Sequence, residues 1–356
     1  MIQEKRPNMK KKWKRLLAIL LAVYLLGSVT ATHIIFSIEF HRVDAQTVSA
    51  FPLYADVAAD YPRRSLHFPS GSAELTGWVY GEDNDTALVV LSHGLGATAE
   101  TYLPQTMWLV DAGYRVFTYD ATGTGASEGG STAGLSQSVL DLDAALDYIE
   151  ADSKLSGLPI LLFGHSWGGY AAVEILTYDH DVTASVSLSG YASPMGLMCA
   201  MASRYCGPIA YLGAPFVLLH QWVLFGSAAN GSAVQAVNRC DTPVLIVHGA
   251  EDSTIAPDGA ALIARRERIT NPNAEFLLLD GETHMSLLRP HTTEYTAYVE
   301  RINEAYRTLY DAWDGAIPEA LRAEFYAGVD KSITGGVWQE LMERINEFYQ
   351  TALRNS

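Results

Sequence analysis

Ser166 stands between two glycines in Gly164-His165-Ser166-Trp167-Gly168, where the apolar stretch "PILLF" runs into a small-residue turn and then an amphipathic helix. A hydroxyl at so tight a strand-to-helix corner is held clear of the backbone, with the positive end of a helix beside it, as a nucleophile requires. The G-x-S-x-G pattern alone is weak, because Gly125-Ala126-Ser127-Glu128-Gly129 also matches it. There the preceding strand ends at Asp120, so Ser127 falls within a glycine-rich loop and is set aside.

A nucleophilic serine needs a base to take its proton and an acid to orient that base, and in this topology they follow in the order Ser, Asp/Glu, His. Asp252 comes after "VLIVHG" and His284 after "FLLLDG", so each occupies a loop beyond the C-terminal end of an apolar strand. Glu251, Asp280 and Glu282 are rival acids, and His248 and His165 rival bases. An oxyanion needs backbone donors, expected from Trp167 after the serine and from Leu95 in "SHGLG". His93 reads as structural. No metal or organic cofactor is implied, and no cysteine spacing resembles a zinc site.

These residues need a scaffold, and the chain supplies eight short apolar runs: "RRSLHFPSG", "AELTGWVYG", "TALVVLSHG", "YRVFTYD", "PILLFGHS", "TASVSLSG", "TPVLIVHG" and "AEFLLLDG". The first two alternate like a hairpin, whereas the later ones are almost wholly apolar and separated by helical patterns, as buried parallel strands are. The fold class is therefore α/β, a mostly parallel eight-stranded sheet flanked by helices. Between 134 and 151, Leu135, Val139, Leu142, Leu146 and Ile149 share one helical face. Residues 191–240 break the rhythm and read as a cap, in which Met195, Met198, Met201, Tyr205, Tyr211, Phe216, Trp222 and Phe225 either wall an apolar acyl pocket or pack the cap onto the body.

The N-terminus stands apart. Seven basic residues, Lys5 to Arg15, precede a stretch from Leu16 to Ile38 with no Asp, Glu, Lys or Arg. That length spans a bilayer of about 30 Å. The expectation is a basic cytoplasmic segment over 1–15, a transmembrane anchor over 16–38 and an extracytoplasmic domain over 45–356. A secretory signal cleaved near Ala31 is the rival. With 24 Lys+Arg against 40 Asp+Glu, net charge −16, a nucleic-acid partner is excluded. An oxidising compartment permits one disulfide among Cys199, Cys206 and Cys240.

With these residues placed, the chain resembles the serine hydrolases of the α/β-hydrolase superfamily, particularly the bacterial serine aminopeptidase-like or monoglyceride-lipase-like group. The carriers, within about 60–290, are "SHGLG", "YDATGTGASEG", "GHSWGG", "HGAED" and "GETHM". The resemblance implies a Ser166–His284–Asp252 triad, with Leu95 and Trp167 amides holding the oxyanion. It implies a small ester as substrate, with small to medium acyl groups, or alternatively a short peptide. A catalytically silent, membrane-tethered binding protein is the reading from another class. The chain departs from the resemblance at Ala256, where relatives often carry proline. It departs again in the residues beyond His284, where "GGVWQELMERINEFYQTAL" reads as the closing helix and 291–330 as an insertion, together a helical extension over 291–356.

Overall fold

A computed structural model describes residues 9–355. Lys5 and Arg6 of the expected cytoplasmic segment lie outside the described residues. In chain order the helices are α1 (Met9–Glu39), α2 (Tyr54–Val57), α3 (Leu103–Asp111), α4 (Gln137–Ala151), α5 (Trp167–Glu174), α6 (Pro194–Cys206), α7 (Ala214–Phe225), α8 (Ala233–Arg239), α9 (Thr293–Ala312), α10 (Glu319–Ala327), α11 (Lys331–Thr334) and α12 (Gln339–Asn355). The strands are β1 (Arg63–Ser70), β2 (Ala73–Tyr80), β3 (Leu88–Ser92), β4 (Arg115–Tyr119), β5 (Ile160–His165), β6 (Val182–Leu188), β7 (Val244–Gly249) and β8 (Ala274–Leu279).

All eight apolar runs form strands, and they assemble into one sheet in the order β1-β2-β4-β3-β5-β6-β7-β8. The alternating pair forms the antiparallel hairpin, β2 runs antiparallel to β4, and every pairing from β4 to β8 is parallel. Buried strands keep apolar side chains on both faces because helices cover both. One face packs under α4, α5 and α8, where Val139, Leu142, Leu146 and Ile149 are all buried. The other is covered by α3 and α12, through Leu109, Leu341, Ile345 and Tyr349. β8 differs from the expectation of a buried strand: it lies at the sheet edge, and Phe276 and Leu278 are exposed.

The cap comprises α6, a 3-10 turn over Gly207–Leu212, and α7; α8 instead packs onto α5 with Ala233, Ala236 and Val237 buried. α1 joins the body at its end, where Phe36 and Phe40 enter the core. Beyond it, Arg42 donates to the carbonyls of Gly125, Ser127 and Gly129. The chain before residue 45 is thus sewn to the loop after β4.

Candidate active site

β5 ends at His165, and Ser166 turns the chain into α5 with φ 56° and ψ −110°. That left-handed conformation strains a residue bearing a Cβ and persists only where packing enforces it. The flanking glycines enforce it here. A Cβ on Gly164 would overlap the Gly168 carbonyl oxygen, and one on Gly168 would overlap that of Ser92 at the end of β3. Strand and helix therefore approach backbone to backbone, which is why the motif demands glycine at both positions.

The acid and base loops meet beside this corner. His284 Nδ1 donates to Asp252 Oδ2 at 2.7 Å. Asp252 Oδ1 accepts the amides of Thr254 and Ile255 at 2.8 and 2.9 Å, so the loop around Ala256 is held by the carboxylate without the proline. His248 Nε2 lies 3.1 Å from Asp252 Oδ2 and donates to the Ile255 carbonyl at 2.8 Å. Burial pushes the Asp252 carboxyl up, but the hydrogen bonds from His248 and His284 outweigh it and hold the group well below the usual carboxylate range. The rivals are accounted for. Glu251 and Asp280 are exposed, Glu282 pairs with His291, and His248 serves Asp252.

His165 is wholly buried, its ring centroid 4.8 Å from that of His284. Its Nε2 lies 2.9 Å from the His284 carbonyl oxygen, which only accepts, so Nε2 carries the proton and the bare Nδ1 accepts from the Tyr102 hydroxyl at 2.7 Å. Tyr102 Oη in turn accepts the Gly94 amide at 2.9 Å. Burial, reinforced by the nearby His284, pushes His165 down to about 3, so the ring stays neutral. One chain of hydrogen bonds thus ties the loop at Gly94, the strand that ends at His165 and the loop carrying His284 together. Sequence reasoning missed Tyr102, which sits in no motif.

Trp167 follows the serine directly, and Gly94, the neighbour of Leu95, faces it, since a Cβ there would lie 3.5 Å from Ser166 Cβ. Among the described residues neither backbone amide donates to a protein acceptor. Beneath them, His93 is buried, with Nδ1 on the Gly94 carbonyl at 2.8 Å and Nε2 accepting the Ala121 amide at 3.0 Å. This fixes the loop's turn, as expected of a structural histidine. Ser127 is buried: its hydroxyl donates to the Asp120 carbonyl and accepts the Thr76 amide.

A cavity of about 720 Å³ lies between α6 and the acid loop, with Met195, Leu197, Met201, Tyr211, Thr254 and Ile255 in its wall. The expected apolar wall is only partly realised. Tyr205 and Trp222 face outward, Phe225 packs beside Gly134 and Phe36, and Met198 takes a contact from the buried Gln221 amide. The three cysteines are free. Among the described residues one cluster has metal-ligand spacing, Asp143, Asp147 and His180. There both His180 nitrogens already hydrogen-bond carboxylates, of Asp143 and Glu150, which leaves no lone pair for a metal.

Residues 83–205 match the sequence model of a family described as serine aminopeptidase, S33. RutD of Variovorax paradoxus, named as a carbamate hydrolase, is 31% identical over 143 residues, covering 38% of this chain and 52% of that protein. The chain therefore aligns with about half the length of that relative. A polyketide transferase, af380, of Aspergillus fumigatus is 23% identical over 276 residues, 65% of this chain and 94% of its own. Among solved structures, an esterase of Pyrococcus furiosus superposes with a TM-score of 0.53 at 18% identity, covering 69% of this chain and 90% of its own, and shares the fold. With that sheet order and serine corner, the chain has the α/β-hydrolase fold.

Proposed function

We propose that the protein is a membrane-anchored serine hydrolase that cleaves carboxylic esters of small to medium acyl groups. The observation that carries this is the Asp252–His284 hydrogen bond set beside a serine in a strained, glycine-walled corner. With Nδ1 donating to Asp252, His284 presents Nε2 as base. Nε2 takes the Ser166 proton as Oγ attacks the acyl carbonyl, and the Leu95 and Trp167 amides receive the developing oxyanion. The imidazolium, oriented by the ionised Asp252, then protonates the leaving alcohol. A water repeats the sequence on the acyl-enzyme and frees the acid. Among the described residues Ser166 Oγ makes no hydrogen bond, so the hydroxyl is free to turn to the imidazole when substrate binds.

The preference for a modest acyl group rests on the apolar composition of the cap; the cavity lined by Met195 and Met201 borders the Asp252 loop at Thr254 and Ile255, and neither Ser166 nor His284 lines it. α1 supports the anchor: it is continuous from Met9 to Glu39, apolar from Leu16 to Ile38, and it meets the cap ahead of Ala31, where the Tyr24 hydroxyl donates to the Leu212 carbonyl. Its Lys11, Lys12, Lys14 and Arg15 end belongs on the cytoplasmic side.

The description of the matching family favours one second reading, cleavage of short peptides from the N-terminus. Full-length protein in detergent, wild type and Ser166→Ala, is to be assayed on p-nitrophenyl esters of increasing chain length and on aminoacyl anilides. Ester turnover that peaks at short chains and vanishes in Ser166→Ala is expected. Anilide turnover exceeding ester turnover supports the peptidase reading, and turnover of neither by folded wild type contradicts both.

A further inference from the structure

We infer that α6, the turn after it and α7 form a re-entrant element immersed in the bilayer beside α1, so that the cap's outer face is covered by lipid. This rests on the reading of α1 as a membrane anchor. Along α1, Tyr24 Oη donates to the Leu212 carbonyl at 2.7 Å, and its ring meets that of Phe216 at 5.4 Å. Further on, Phe36 packs against His220 at 4.3 Å. α7 therefore crosses the C-terminal half of the anchor obliquely in the same chain sense, with its start level with Tyr24. Tyr24 precedes Ile38 by about 21 Å at 1.5 Å per residue. If α1 crosses a hydrocarbon layer of about 30 Å, whatever sits level with Tyr24 is more than halfway into it.

The composition of the cap fits that depth. Between Asp181 and Arg239 the only charged residue is Arg204, in a chain with 64 Asp, Glu, Lys and Arg in all. Arg204 points away from lipid, donating to the Ser253 carbonyl beside the candidate acid. The outer face carries Ile209, Trp222 and Val223, which are 66%, 57% and 73% exposed and have no protein covering them. The two helical arms, Pro194–Leu212 and Ala214–Arg239, meet at 97° and together are apolar enough for a broken span. A broken helix in hydrocarbon leaves carbonyls without partners, and each must be satisfied. Leu212, at the break, is the carbonyl that the Tyr24 hydroxyl reaches. An apolar face covered by water would forfeit this burial, and a second copy would have to seat beside α1 at the same depth.

The test uses the full chain in phosphatidylcholine–phosphatidylglycerol nanodiscs, with Cys199, Cys206 and Cys240 changed to serine. Single cysteines at Val223→Cys, Ile209→Cys, Leu26→Cys and Asp147→Cys carry a polarity-sensitive nitrobenzoxadiazole label. The expected result is blue-shifted emission at 223, 209 and 26, quenched by doxyl groups on the acyl chains and spared by iodide. Asp147→Cys, exposed on α4, shows the reverse. Quenching of 223 and 209 by iodide, with 26 in lipid, overturns the inference and leaves the anchor intact. Iodide quenching at 26 as well overturns the anchor reading itself. Labels at 223 and 209 shielded from both quenchers mean that protein covers the cap, which also overturns the inference.

Discussion

Ser166 holds a conformation that its own chemistry disfavours, and a set of contacts around it braces the corner. Tyr102 is the clearest, since its hydroxyl bridges the Gly94 amide and His165, and His165 in turn holds the His284 carbonyl. Tyr102→Phe leaves a buried N–H and a buried ring nitrogen without partners, a cost of about 1–3 kcal/mol in stability. As a positioning residue it should lower kcat on the best ester while KM stays near the wild-type value. A fall confined to KM would place Tyr102 in substrate binding instead. Glu174 makes a second prediction. Burial under α8 pushes it up to about 7, with partial relief from the Ser232 amide and Arg239. An acid raised in the folded state costs nothing below its unfolded pKa, and the penalty grows as pH rises from about 4.5 to 7. Glu174→Gln should therefore raise the melting temperature at pH 8, by the equivalent of roughly 1–3 kcal/mol, and change little at pH 4.5. Equal effects at both pH values would contradict this. The placement of Ser166, Asp252 and His284 beyond strand ends was legible in the sequence, because each follows an apolar run at a point where glycine or a polar turn ends it. Tyr102 was not, because its partners are brought to it by the sheet from 8, 63 and, through His165, 182 residues away in sequence.

At the scale of elements, the strands were legible because burial on both faces leaves an uninterrupted apolar run, and α4 because its apolar residues keep a helical period. The cap's orientation was not. In α7 the only polar side chains are His220 and Gln221, and Gln221 is buried, so no period assigns a face, and packing decides that Phe225 turns inward while Trp222 turns out. The approach to β6 is pinned to α4 by His180, whose two nitrogens meet Asp143 and Glu150 at 2.8 Å each. Burial lowers its affinity for the proton, but the two carboxylates outweigh that and raise it above the ordinary histidine value. A histidine raised in this way contributes stability that is full below the unfolded pKa and is lost as pH rises through the folded value. The carboxylates are 33% and 43% exposed, so solvent screens the contact to about 1 kcal/mol. His180→Gln should accordingly cost about 1 kcal/mol at pH 6 and less at pH 9, measured by urea unfolding. A larger loss at pH 9 would mean that packing, and not charge, is what His180 supplies.

For the whole molecule, the sequence foretold an apolar N-terminal helix followed by one α/β domain, while the way the two join was hidden. Phe36 and Phe40 enter the core, and Arg42 caps three carbonyls of the loop that follows β4, so the helix and the domain are continuous. The full chain should stay with the membrane through alkaline carbonate extraction and leave it in detergent. Release by carbonate would contradict the anchor. The central claim, that Ser166 is the nucleophile of an acyl-transfer site, is tested most directly by treating the full-length protein with a fluorophosphonate probe and locating the adduct by peptide mass spectrometry. One adduct is expected, on Ser166, lost in Ser166→Ala and slowed in Asp252→Asn. An adduct on another serine, or none on folded protein, would contradict that claim.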